Sequence, residues 1–273
     1  METQHIVVSS ISGYIDAVNQ FRKKANLTET ILFRGQSKAS WKIESSLERV
    51  KLPIISFRDY YTSIDFYKPE INAYGKNFER KASFTKGYDF DFSDYDGIKF
   101  SQFPELEYLT YLRHHGFPSP LIDFSKSEYI ALFFACEDAV NLDDDLENGK
   151  VFVLRDQLWN CAVCGRKEIH EIGHYIETDL RHIAQQSSYL IACRYDIGKK
   201  MWMFVPFSLE ESLREQPYKV DSVLEIEIEA SAKISLLDEL AKMNVNHHTL
   251  YRDEDSLIKK MKFDFLNIQR RIA

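Results

Sequence analysis

A helix with almost no polar face constrains this chain more than any other feature. Between about Ser127 and Asp138, Ile130, Ala131, Leu132, Phe133 and Phe134 place apolar side chains nearly all round the helical turn. Such a helix belongs inside the molecule, not on its surface. Around it the signals are mixed. "ILFRG" and "NGKVFVL" read as strands, and "SVLEIEIEA" alternates Leu224, Ile226 and Ile228 against Glu225, Glu227 and Glu229. "SISGYIDAVNQFRKKAN" carries Ile11, Ile15, Val18 and Phe21 at helical spacing. "FPELEYLTYLRHHG" has Pro104 near its start, Glu105 and Glu107 in its first turn and Gly116 past its end. "SLLDELAKMN" and "DEDSLIKKMKF" read as closing helices, and residues 51–100 as helix plus an aromatic-rich insertion. Strands and helices follow one another without regular alternation, which favours α+β over a doubly wound sheet. With no internal repeat and no Pro/Gly/Ser-rich linker, a single domain over 1–273 is expected.

The strand "ILFRGQS" ends on a guanidinium. Leu32 and Arg34 share one strand face, so Arg34 falls where a core side chain is expected and needs an anionic partner there. That partner is a ligand or a protein carboxylate such as Asp123, as a strand-to-strand ion pair. Near Asp123, Ser125 and Ser127 turn the chain, and Ser127 is placed to cap the apolar helix. His114 and His115 close the preceding helix where its dipole favours cations.

Several classes are excluded or disfavoured. The formal net charge of -7 does not fit a generic nucleic-acid binder, so an RNA partner would need a local basic surface. Lys76, Arg80, Lys81 and Lys86 are the best such cluster. No apolar run approaches the roughly 20 residues of a membrane span, and "METQHIVVSS" lacks the marks of a signal peptide, so a cytoplasmic protein with no membrane partner is expected. Asp89, Asp91, Asp94 and Asp96 depart from the spacing of a calcium loop. Cys161, Cys164, His170 and His174 have the ligand types of a zinc knuckle. A second CxxC is missing and the intervening loop is short, so ordinary thiols and surface histidines are the expectation and no metal site is assigned.

Taken in order, "FRGQS", Trp41, "HHGFPSPLIDFS", "ALFFACED", "AQQ" and "TLYRDEDSLIKKM" resemble the FRG domain, a prokaryotic family named for its Phe-Arg-Gly motif, over about residues 9–262. A more distant similarity is to arginine-serine-glutamate ADP-ribosyltransferases. There, a strand ends in an aromatic residue and arginine, and a second strand runs into a serine-rich turn and an A-x-x-F-A helix, as in "DFSKSEYIALFFA". The resemblance implies a split, mainly antiparallel sheet like that transferase core, with surrounding helices. It implies NAD as substrate, held by Phe33, Arg34, Gly35, Gln36 and Ser125. In the catalytic set of Arg34, His115, Asp123 and Gln185, Arg34 would anchor the pyrophosphate while His115, Asp123 and Gln185 surround the bond that breaks, and Ser125 would orient the ribose. It also implies an intracellular toxin or anti-phage effector modifying RNA or protein, neutralised by an antitoxin. The third motif departs from the pattern, because Gln185 and Gln186 stand where those transferases carry glutamate. A glutamine can hydrogen-bond a ribose hydroxyl but brings no negative charge. Two alternatives stay open: a nuclease or other hydrolase built on His114, His115 and Asp123, and a non-catalytic nucleotide- or phosphate-binding module.

Overall fold

A mostly antiparallel, eight-stranded open sheet organises the chain. In this computed structural model, residues 4–24, 30–53, 55–79, 105–141, 146–156, 169–172, 180–207 and 223–272 are described. The strands are β1 (Gln4–Val8), β2 (Thr30–Gln36), β3 (Leu121–Ser125), β4 (Gly149–Asp156), β5 (Ile169–Ile172), β6 (Ser187–Asp196), β7 (Met201–Phe204) and β8 (Val223–Ile228). They run in the order β1-β8-β4-β2-β3-β6-β5, with β7 added to β6. Among the described pairings only β1 with β8 is parallel. The alternation read in β8 is the one observed: Leu224, Ile226 and Ile228 are buried, and Glu225 and Glu227 are partly exposed.

The sheet has a weak joint. β2 pairs with β4 along seven residue pairs, Thr30–Asp156 to Gln36–Lys150, whereas β2 meets β3 at the single pair Phe33–Ser125. Residues directly opposed in a ladder share a face, so Phe33, Ser125 and Leu121 look the same way. On that face two helical packs meet above the joint. Over β2, β4 and β8 lie α1 (Ile11–Lys23), α6 (Glu128–Cys136) and, near the C-terminal end, α8 (Lys233–Lys242). Over β3 and β6 lie α3 (Phe57–Asp65) and α5 (Leu106–His114). Among the described residues the remaining α-helices are the short α2 (Ser46–Arg49), α4 (Lys68–Asn72), α7 (Leu180–Ala184) and α9 (His247–Tyr251), and α10 (Glu254–Ile272). On the other face Leu32, Ile122, Phe124, Phe152 and Leu190 form a third apolar cluster with Ile43 and Val205.

The apolar helix expected from sequence is α6. Ser127 caps it by accepting the Ile130 N–H at 3.4 Å, and Ile130, Ala131, Leu132, Phe133, Ala135 and Cys136 are buried. Its backbone lies directly on the sheet because two glycines admit it. A Cβ on Gly35 would collide with the Ala131 carbonyl oxygen and stand 2.8 Å from the Ala135 nitrogen, and one on Gly149 would collide with the Ala135 carbonyl oxygen. Beside this contact Lys233, fully buried, donates to Ser37 O at 2.7 Å and to both Asp138 oxygens at 2.8 and 3.0 Å. That ties the end of β2 to α8.

Both ends of α5 differ from expectation. Glu105 does not lie in the first turn of α5 but precedes it, with φ +58°, and reaches Lys68 at 2.9 Å. The C-terminal phase of that helix also changes the histidines. Leu112 is buried, so i, i+3 spacing would turn His115 inward. The helix instead ends at His114, and His115 is exposed against the Tyr111 ring, 4.4 Å between centroids. Asp89, Asp91, Asp94, Asp96, Arg80, Lys81, Lys86, Cys161, Cys164 and His174 lie outside the described residues; Lys76 is described and lies over the Tyr111 ring. Among the described residues no helix is long and apolar enough to cross a membrane, and no group of His, Cys, Asp and Glu could hold a metal ion.

Candidate functional site

The polar motifs meet at the β2–β3 joint. Ser125 is its centre. Its Cα is paired with Phe33, its hydroxyl donates to Gln185 O at 2.8 Å and it accepts the Ser127 N–H at 3.0 Å. The strand β3, the turn into α6 and the loop after α7 are thus fastened through one buried oxygen. Gln186, with φ +46°, continues the fastening as its carbonyl accepts the Lys126 N–H at 3.0 Å. The Gln185 amide donates to Leu250 O at 3.2 Å, which brings the "TLYRD" segment against the same loop.

Arg34 fills the gap where β2 and β3 part. It is 9% exposed, and its Nη1 donates to the Asp123 main-chain oxygen at 2.6 Å. The alternative of an ion pair with the Asp123 carboxylate gives way to this main-chain bond, for a reason of register. Arg34 projects with Leu32, whereas Asp123 projects with Leu121 and Ser125 on the other face. Arg34 Nε has no hydrogen-bond partner among the described residues. Burial lowers the Arg34 pKa to about 10 against the opposing pull of Asp123. That value still leaves it charged at neutral pH. Its neighbour Gly35 faces the α6 backbone, and Phe33 lies in the core beneath α6. Gln36 is buried, its amide donating to Lys42 O at 3.2 Å while Oε1 has no partner among the described residues.

The carboxylate of Asp123 is held by a residue that the sequence reading passed over. Arg113 donates from Nε at 3.0 Å and Nη2 at 2.6 Å, both to Oδ2, so the last turn of α5 is fastened to β3. The side chain is 42% exposed, yet Oδ1 is shielded and has no partner among the described residues. Burial works to raise this carboxyl, but Arg113, with Arg34 and His114 behind it, outweighs burial and holds it below the usual carboxylate range. In register opposite Asp123 stands Tyr189, fully buried, whose hydroxyl lies 3.3 Å from His114 Nε2 and 3.2 Å from His182 Nδ1. On the α9 side the Arg181 guanidinium lies 4.4 Å from the centre of the Tyr251 ring, and the Tyr251 hydroxyl donates to Glu137 at 2.8 Å.

The model of the FRG domain family matches residues 29–144. Over that stretch, less than half of its length, the chain is similar to the FRG domain. No curated protein and no solved structure matches the chain. The matched part of the FRG domain runs from the start of β2 through α6, and so contains Arg34, Arg113, His114, His115, Asp123 and Ser125. Gln185, His182, Tyr189 and Tyr251 lie beyond it and complete the joint from later in the chain. Of the residues singled out in the sequence, Arg34, Asp123, Ser125 and Gln185 are brought together, Phe33 and Gly35 underlie them in the α6 contact, and His115 stands apart. Arg113 was legible only as a helix-end cation, and His114 as that or as a member of the hydrolase alternative. Tyr189 left no signal beyond an aromatic residue after "SS".

Proposed function

We propose that this protein is an NAD-dependent ADP-ribosyltransferase whose site is the β2–β3 joint. The observation that carries the reading is the convergence on Ser125. The arginine-bearing strand, the serine turn and the glutamine-bearing loop, about 90 and 60 residues apart in sequence, adjoin at that residue, as the three motifs of the transferase resemblance require. In this reading the split sheet that the resemblance implies corresponds to the single-pair joint between β2 and β3. The Arg34 guanidinium then reaches the pyrophosphate through the gap between β2 and β3, from the sheet face opposite the Asp123 carboxylate. Asp123, kept ionised by Arg113, supplies beside the ribose the negative charge that Gln185 lacks, and so stabilises an oxocarbenium-like transition state. By the same resemblance the protein acts as a toxin or anti-phage effector on RNA or protein and is restrained by a neutralising partner.

A second reading has an observation in its favour. Ser125 has its donor and acceptor used within the fold, and Arg34 Nη1 is bound to a main-chain oxygen. If these two residues are purely structural, Asp123, His114 and Tyr189 constitute a hydrolase site instead. Incubation with NAD labelled in the adenylate, followed by separate protease and RNase digestion, separates the two. Label retained on macromolecules and released by one digestion supports the transferase. Hydrolysis of an RNA substrate without use of NAD supports the hydrolase.

A further inference from the structure

We propose that His182 is the general base that activates a hydroxyl acceptor, with Tyr189 and His114 as the positioning residues that hold it and share its proton; this rests on the transferase reading above. The three side chains come from α7, β6 and α5 and form one hydrogen-bonded row, His182 Nδ1 to Tyr189 hydroxyl at 3.2 Å and Tyr189 hydroxyl to His114 Nε2 at 3.3 Å. The His182 ring also stacks on Tyr189 with centroids 5.6 Å apart and planes 22° from parallel. A phenolic hydroxyl both donates and accepts, so it can pass a proton between two imidazoles without either moving.

The row lies at the joint. His182 precedes Gln185 by one helical turn, and the Gln185 carbonyl is the one that Ser125 holds. The middle of the row, Tyr189, stands in register opposite Asp123, and its other end, His114, follows Arg113, which holds that carboxylate. A proton delivered to His114 therefore arrives next to the Arg113–Asp123 pair.

The chemistry balances. The glycosidic C–N bond of NAD breaks and its electron pair leaves with nicotinamide, neutralising the ring. The acceptor oxygen forms the new C–O bond to the ribose carbon and loses its proton. That proton goes to His182 Nε2. The Nδ1 proton of His182 passes to Tyr189, and the Tyr189 hydroxyl proton passes to His114 Nε2. An acceptor with a hydroxyl, such as a ribose, a serine or water, fits this path.

Water serves as the acceptor in the test. Nicotinamide release from NAD is measured for the wild type, His182→Ala, His182→Asn and Tyr189→Phe, each with a thermal melt. Loss of a positioned base typically costs about a hundred- to ten-thousandfold in rate. His182→Ala is therefore expected to lose that much in kcat at unchanged KM for NAD and to regain part of it with added imidazole. His182→Asn, which keeps a polar group toward Tyr189, should be as slow. Tyr189→Phe should lose about tenfold in kcat. Full activity in His182→Ala, or a loss that imidazole does not restore in a variant that melts like the wild type, overturns the base assignment and leaves the transferase reading standing. A wild type that releases no nicotinamide overturns both.

Discussion

Replacing Gly35 by alanine is expected to damage the protein through its fold and not through its chemistry. The added Cβ would overlap the Ala131 carbonyl oxygen and lie 2.8 Å from the Ala135 nitrogen, both backbone atoms of α6. Backbone cannot turn aside as a side-chain tip can, so α6 or β2 must shift by more than half an ångström. Six of the nine residues of α6 are buried, and overpacking a filled interior costs roughly 1–3 kcal/mol, more where no side chain can yield. We expect a loss of about 3 kcal/mol or more, a large part of a typical total of ~5–15 kcal/mol. Gly149→Ala should behave alike, because its Cβ would overlap Ala135 O. Gly116 is the control: φ is +79° and nothing lies within 4 Å, so alanine there meets strain alone, about 1–2 kcal/mol. Urea unfolding followed by circular dichroism gives all three values. A Gly35→Ala midpoint within error of the wild type would refute the close-packing account of the Phe-Arg-Gly glycine, and would revive the view that it clears space for a ligand.

Two further outcomes concern buried charge. Lys233→Met should cost about 3 kcal/mol in the same unfolding assay, since Asp138 and the Ser37 carbonyl lose their donor, and an unchanged midpoint would show that the tie is inert. Asp123 predicts an acid dependence. Its folded pKa lies below the unfolded value of about 3.9, so its contribution is present above that value and fades as pH falls through the lower folded value. Arg113→Ala removes the main lowering influence and leaves burial, so the acid-unfolding midpoint should move to higher pH; no movement would mean that the pair does not stabilise the fold.

Patterns set by local physics were readable in the sequence. The all-apolar run became α6, Ser127 caps it, and the Leu-Glu-Ile-Glu-Ile alternation became β8 with the faces expected. What sequence could not provide was register. Whether Arg34 meets the carboxylate or the carbonyl of Asp123 depends on the single β2–β3 pair, and a shift of one residue would exchange them. The same holds for Arg113, whose partner lies ten residues on, across a turn. The choice between His114 and His115 depended on the residue at which α5 stops. The assignment of Gly35 to a ligand overlooked that the nearest thing to a strand-end glycine is often another backbone. Gln185 was noticed for its side chain, whereas its carbonyl makes the bond to Ser125.

The central claim is that the β2–β3 joint breaks the glycosidic bond of NAD with Asp123 as its negative charge. The most direct measurement is the rate of nicotinamide release by the purified protein and by Asp123→Asn, with a melt of each to show that both are folded. Asparagine keeps the shape and a hydrogen-bond acceptor but removes the charge. The account predicts release by the wild type and a loss of at least a hundredfold in Asp123→Asn, or about 2.7 kcal/mol of transition-state stabilisation. A folded Asp123→Asn that releases nicotinamide as fast as the wild type would contradict it.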